Sequence, residues 1–140
     1  MPDHTSLIYL ASPYSHYDFS VQKSRFEEAS RWAARLMLHG LNVFSPIAHS
    51  HPITLYGQLP TGWDQWKEFD RIMLLRCQRF VIIPLDGWKE SRGVKSEVEI
   101  WMRQVHQGSD LMLPIEMVNL TNKDIVLATQ KVLEAFNITP

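Results

Sequence analysis

Three acidic residues, Glu97, Asp70 and Asp86, lie at positions in the sequence where a carboxylate could take part in catalysis or in substrate binding. Glu97 lies near the start of a helical segment that follows a short apolar run and a turn. Open α/β sheets bind their ligands at such a strand-to-helix passage. Because the positive end of a helix dipole favours an ionised carboxylate, Glu97 is a candidate nucleophile. The alternative is an acid that only stabilises its own helix.

Asp70 falls inside an apolar helical stripe with Trp66, Met73 and Cys77, as the ~100° turn per residue requires. A buried carboxylate needs a partner, because an unpaired buried charge costs several kcal/mol. Two interpretations remain open: a structural ion pair, or a polar pocket in which Asp70 serves as a general acid. The arginines that could pair with it are Arg71, Arg76 and Arg92.

Further candidates follow the first and third predicted strands. Asp86 ends the third strand, where it could accept hydrogen bonds from sugar hydroxyls or close an Asx turn. Tyr9, Ser12 and Tyr14 lie at or just beyond the end of the first strand, and Tyr9 could equally be a core aromatic residue. We therefore expect these side chains to meet at one edge of a sheet.

Apolar runs alternate with segments of helical periodicity, which predicts a parallel sheet with helices on both faces. The predicted strands are 7–11, 41–44, 79–85 and 111–115, and the predicted helices are 19–39, 63–78, 93–107 and 121–136. Residues 47–62, with prolines and two histidines, are predicted to form an irregular loop, and Thr121 with Asp124 to cap the last helix. The expected fold is a single, doubly wound α/β domain over 1–140, mainly parallel, with four or five strands and the first strand central.

Length, charge and cysteine content fit a soluble globular domain: 140 residues, 45% hydrophobic, net charge -1 and one cysteine, Cys77. This charge balance gives no reason to expect binding to a nucleic-acid polymer or a membrane. The N-terminus lacks the pattern of a signal peptide, so the expected location is cytoplasmic. The many aromatic residues are compatible with a wide aromatic core or with a homo-oligomer interface.

Other chemistries have weaker signals. His49 and His51, with His16 in another loop, could bind a metal and support a metal-dependent hydrolase, but no cysteine or carboxylate accompanies them at a recognised ligand spacing. Ser12 lacks a nucleophile-elbow context. The chain carries neither a glycine-rich dinucleotide fingerprint nor a Walker loop, and we predict no cofactor and no metal.

Three segments together resemble the nucleoside 2-deoxyribosyltransferase superfamily, which includes the 2'-deoxynucleoside 5'-phosphate N-glycosidases. Residues 8–14 (IYLASPY) resemble its opening strand, often YLAGPF. The Asp70 helix followed by residues 80–86 (FVIIPLD) resembles its acid-bearing helix and acid-terminated strand. Residues 91–97 (SRGVKSE) resemble the glycine-containing turn before its catalytic glutamate. The resemblance spans roughly residues 7–115 and extends to an uncharacterised bacterial and phage subgroup.

The resemblance implies glycosidic cleavage with retention, by hydrolysis or by transfer to a second base. Glu97 would be the nucleophile, Asp70 would assist departure of the base, Asp86 would hold a sugar hydroxyl, and Tyr9 would position Glu97 or the sugar. Further substrate contacts would come from Ser12, Tyr14, Ser91, Arg92 and Gly93. The resemblance also implies a homo-oligomer, dimer or tetramer, in which a neighbouring subunit completes the site.

Two departures from the family pattern affect these expectations. Glu97-Val98-Glu99 stands where the family usually has Glu-Leu-Gly, and residues 12–17 (SPYSHY) replace a glycine-rich phosphate loop. Ser91, Arg92, Lys89 or Lys95 could still meet a phosphate. The choice between nucleoside and monophosphate is therefore open. A non-catalytic nucleotide-binding module with the same fold is the alternative function.

Overall fold

The computed structural model of the protein describes residues 5–59, 63–104 and 114–139. Its strands are β1 (Leu7–Ala11), β2 (Asn42–Phe44), β3 (Arg79–Ile82), β4 (Ile115–Val118) and β5 (Ile125–Leu127). Its helices are α1 (Phe19–Leu38), α2 (Pro46–Gly57), α3 (Trp63–Leu74), α4 (Arg92–Gln104) and α5 (Thr129–Ala135), with a 3-10 turn at Trp88–Glu90.

The five strands form one sheet in the order β2-β1-β3-β4-β5. The first four are parallel, and β5 pairs antiparallel with β4. This architecture confirms the predicted mainly parallel α/β fold of the Rossmann-like or flavodoxin-like kind. β1 is an interior strand, but β3 and not β1 occupies the middle of the sheet.

Alternate side chains of β1 and β3 build two separate cores, as the period of two in a strand requires. Ile8 and Leu10 of β1 pack on one face of the sheet, where α1 contributes Ala29, Trp32, Ala33 and Leu36. Tyr9 and Ala11 pack on the opposite face, where α4 contributes Val94, Val98 and Trp101. Tyr9 therefore faces the layer that carries Glu97.

The predicted loop over 47–62 is wrong for most of its length, because α2 spans Pro46–Gly57. The Ser45 side chain caps this helix by accepting from the Ala48 amide, and Pro46 lies in the first turn, where a missing N–H costs nothing. Pro52 lies inside the helix, yet Ile47 and His51 are buried. Packing of this face outweighs the tendency of the prolines to disrupt a helix. Residues 60–62 of the predicted loop lie outside the described residues.

The predicted helix over 121–136, with its capping box at Thr121 and Asp124, is also wrong. The Asn119 side chain accepts from the Thr121 and Asn122 amides and closes a turn in which Lys123 takes a positive φ of 69°. β5 follows this turn, and α5 begins only at Thr129.

Other boundaries shift by a few residues. β3 ends at Ile82, and α3 ends at Leu74. The predicted fourth strand over 111–115 begins at Ile115, with residues 111–113 outside the described part, as are residues 105–107 of the predicted helix before it.

Candidate active site

A cavity of about 400 Å³ opens at the edge of the sheet where β1 and β3 end. The loop after β1 contributes Ser12, Tyr14 and Ser15, α2 contributes Pro46 and Ile47, and α3 contributes Asp64, Trp66 and Asp70. The opposite wall consists of Glu90, Ser91, Arg92, Gly93 and Glu97. Because α3 packs against α4, two helices that are separate in sequence bring Asp70 and Glu97 to one cavity.

Glu97 is only 5% exposed and receives a hydrogen bond at Oε2 from the Tyr9 hydroxyl. Burial raises the pKa of Glu97 well above its ordinary value, the nearby charge of Asp70 raises it further, and the bond from Tyr9 lowers it. Ser91 accepts from the Val94 amide at 3.2 Å and caps α4, which fixes the helix that carries Glu97. The predicted helical location of Glu97 is confirmed, in the second turn of α4.

Asp70 is 7% exposed, and its Oδ1 has no hydrogen-bond partner. Burial raises the pKa of Asp70 to about 7. The three arginines considered as its partners bind other groups: Arg71 pairs with Glu68, Arg76 donates to the Ile72 carbonyl, and Arg92 pairs with Asp64. The geometry thus favours the polar-pocket interpretation of Asp70 over the ion pair.

Tyr9 lies within the sheet core, with its ring between Phe44 and Phe80 at centroid distances of 5.8 and 6.0 Å. Burial and, after it, the charge of Glu97 raise the pKa of Tyr9. The hydroxyl therefore stays protonated and donates a hydrogen bond to Glu97. Tyr9 is therefore a core aromatic residue whose hydroxyl contacts Glu97.

Asp86 does not line this cavity. It is exposed and borders a neighbouring hollow, which we call the rim hollow, that shares Ser15, Glu90 and Ser91 with the cavity and also contains Arg25. The Arg25 guanidinium donates to the carbonyls of Asp86 (3.0 Å), Ser15 (3.0 Å) and Tyr14 (3.3 Å). It ties the loop after β1 to the loop after β3.

The remaining predicted contacts do line the cavity. Ser12 is buried, and its Oγ has no partner. The Tyr14 hydroxyl lies 2.5 Å from Nδ1 of His51, and burial lowers the pKa of that imidazole. Arg92 is exposed and pairs with Asp64 at 3.4 Å, while Gly93 lies beside it on the wall.

The histidines considered as metal ligands have separate environments. His51 is buried against Phe26, at a centroid distance of 4.2 Å, and engages Tyr14. His49 is exposed and stacks on Phe69 at 5.0 Å. Among the described residues, no three His, Cys, Asp or Glu side chains come together as a ligand set.

Sequence reasoning missed three residues that shape the site. Ile47 and Trp66 supply apolar wall, and Trp66 is held by a hydrogen bond from Nε1 to Thr54 at 3.2 Å. Arg25 was not recognised as the clamp between the two loops. Ile47 could not be assigned to the cavity because the sequence did not predict α2. The only sign that Trp66 lines the cavity was that it shares a helical stripe with Asp70.

The chain belongs to the family described as a domain of unknown function, DUF1937, whose model matches residues 6–110. No curated protein matches the chain at a significant level. Within the described residues, no helix is long and apolar enough to cross a membrane.

Proposed function

We propose that this protein cleaves the N-glycosidic bond of a nucleoside or nucleotide, or transfers its deoxyribosyl group, with Glu97 as the nucleophile. The observation that carries the proposal is a pair of buried carboxyl groups, on different helices, lining one cavity. The unpartnered Oδ1 of Asp70 supports it further, because a buried polar atom without a partner is costly unless a ligand or proton transfer uses it.

In the proposed reaction the Glu97 carboxylate attacks the anomeric carbon, and the bond from that carbon to the base breaks. The electron pair of that bond leaves with the base, which takes a proton from Asp70. Water, or a second base, then attacks the glycosyl ester and releases Glu97, and its proton returns to Asp70. No cofactor is needed for either step.

The division of roles depends on which of the two carboxyl groups keeps a proton. Two carboxyl groups in one buried cavity do not both ionise readily, so the pair retains a proton near neutral pH. Tyr9 donates to Glu97 and thereby favours the charge on that residue, whereas Oδ1 of Asp70 accepts no such bond. For Asp70 to hold the proton that the departing base needs, the hydrogen bond from Tyr9 must outweigh the burial of Glu97 and the charge of Asp70, which both raise the pKa of Glu97.

The decisive experiment compares Glu97→Gln with Glu99→Gln during incubation with deoxynucleosides and their 5'-monophosphates, with released base measured by chromatography. Glu99 lies on the same helix but pairs with Arg103 at 2.9 Å and does not line the cavity. We expect Glu97→Gln to lose about 10⁴-fold or more of the activity and Glu99→Gln to retain it. Full activity in Glu97→Gln would refute the mechanism.

A second candidate, a nucleotide-binding module without catalysis, is favoured by the burial of Glu97, since a raised pKa disfavours the nucleophilic carboxylate. It predicts that nucleosides or nucleotides stabilise the wild-type protein against heat without any release of base. Turnover by wild type would exclude it.

We also propose a cytoplasmic homo-oligomer, dimer or tetramer. Ile53, Leu55 and Tyr56 of α2 expose apolar surface, with Tyr56 86% exposed, and such surface is typical of contacts between chains. Light scattering after size-exclusion chromatography tests the oligomer, and a monomer at micromolar concentration would contradict it.

A further inference from the structure

The charges around the cavity are mostly negative. Asp64, Asp70, Glu90 and Glu97 line it, and among the described lining residues the single cation is Arg92. Asp64 pairs with Arg92 at 3.4 Å and with Lys67 at 3.8 Å, whereas Glu90 has no ion pair among the described residues. With both buried carboxyl groups protonated, the charges of the lining residues Asp64, Glu90 and Arg92 still sum to a net negative charge, which the nearby Lys67 partly offsets.

The other basic side chains near this edge are engaged elsewhere. The Lys89 ammonium lies over the Trp88 ring, 5.8 Å from its centroid. Lys95 lines a different cavity together with Glu99. Arg25 directs its guanidinium at three carbonyl oxygens, and the rim hollow around it also contains Glu28 and Asp86. In the described chain, the cations nearest to a bound phosphate group are therefore Arg92 and Lys67, which both pair with Asp64, and Arg25, which is already bound to three carbonyls.

Neutral ligand groups, by contrast, would find partners within the cavity. The buried Ser12 hydroxyl and Oδ1 of Asp70 lack partners and can hydrogen-bond to hydroxyls or ring nitrogens. Trp66 and Ile47 offer apolar wall against which a planar base can pack.

We infer that the cavity selects an uncharged nucleoside over the corresponding 5'-monophosphate. The inference rests on the proposed function and narrows its substrate class. A phosphate carries one to two negative charges at neutral pH, and its approach to Glu90 is repulsive, whereas Arg92 and Lys67 offset the charge of Asp64. We expect the nucleoside to bind at least about tenfold more tightly than the monophosphate. This difference in affinity, which we call the affinity gap, should shrink as salt screens the exposed carboxylates.

The test is calorimetric binding of 2'-deoxynucleosides and their 5'-monophosphates to Glu97→Gln protein, which the proposed mechanism leaves without turnover, and to wild type at low and high salt. Glu90→Gln should narrow the gap by about threefold, because it removes one wall charge. Glu134→Gln makes the same change in net charge on α5, away from both hollows, and should leave the gap unchanged.

Each outcome has a separate meaning. The inference is supported if nucleosides bind more tightly than monophosphates and if Glu90→Gln, but not Glu134→Gln, reduces this difference in affinity. Equal or tighter binding of monophosphates overturns it and leaves the proposed function standing, as does a gap that Glu134→Gln changes as much as Glu90→Gln. Failure of every nucleoside and monophosphate to bind refutes the proposed function, and the inference with it.

Discussion

Two adjoining hollows at the same edge of the sheet contain acidic residues in different environments. In the cavity, Asp70 and Glu97 are buried, and Oδ1 of Asp70 lacks a partner. In the rim hollow, Asp86 is exposed, and its backbone carbonyl is held by Arg25. The difference shows that an acid at this edge of the sheet becomes a candidate for catalysis through burial without a compensating partner, and not through its location alone.

The largest expected effect comes from a matched pair of substitutions, one in each hollow. Asp70→Asn keeps the shape of the side chain but cannot give a proton to the departing base, so activity should fall by about 10²–10⁴-fold. Asp86→Asn should stay within about twofold, since no step of the mechanism passes through the rim hollow. Initial rates of base release measure both, and equal losses would remove the distinction between the hollows.

Stability should depend on pH through the buried carboxyl groups of the cavity. Burial raises the pKa of Asp70 from 3.8 to about 7, so the folded protein keeps a proton that the unfolded chain has lost between these values. The free energy of unfolding therefore falls as pH rises through this window, by up to about 1.4 kcal/mol per pH unit for this group.

Urea unfolding across that window measures the slope. Asp70→Asn should reduce the slope, and Glu97 should maintain a part of it. An Asp70→Asn protein with the full wild-type slope would contradict the assignment.

Tyr9→Phe tests how much the hydrogen bond from the Tyr9 hydroxyl stabilises the Glu97 carboxylate. The change leaves a buried carboxylate without its hydrogen bond and should destabilise the protein by about 1–3 kcal/mol. It should also raise the pKa of Glu97 and move the rising limb of the pH–activity profile to higher pH. Tyr17→Phe, beside the rim hollow and 97% exposed, is the control and should change neither quantity.

The smallest expected effect concerns the rim itself. Gly87 has a φ of +88°, and a Cβ there would lie 2.6 Å from Nη2 of Arg25. Gly40 has a similar φ of +83°, with no atom within 4 Å of the same Cβ. Both changes to alanine should cost about 1–2 kcal/mol in backbone strain.

Gly87→Ala should cost up to about 1 kcal/mol more than Gly40→Ala, because Arg25 loses a carbonyl contact. Thermal unfolding of the pair measures the difference. Equal values would show that the Arg25 clamp contributes little to stability.

The sequence predicted those parts of the molecule that depend on periodicity within a segment. The parallel α/β fold and the burial of Asp70 both follow from spacing along one strand or helix. α2 and β5 were missed because burial of residues such as Ile47, and the turn made by Asn119, outweigh local propensity. The meeting of Asp70 with Glu97 depends on how α3 packs on α4, which no single segment specifies.

The Tyr9 hydroxyl reaches Glu97 because Tyr9 and Ala11 face one side of the sheet while Ile8 and Leu10 face the other. A one-residue slip of β1 against its neighbours would exchange these two sets. The strand would stay apolar and could still pair, yet the phenol would point at α1 and Glu97 would lose its donor. The site therefore depends on the register of β1 in the sheet as well as on the identity of its residues.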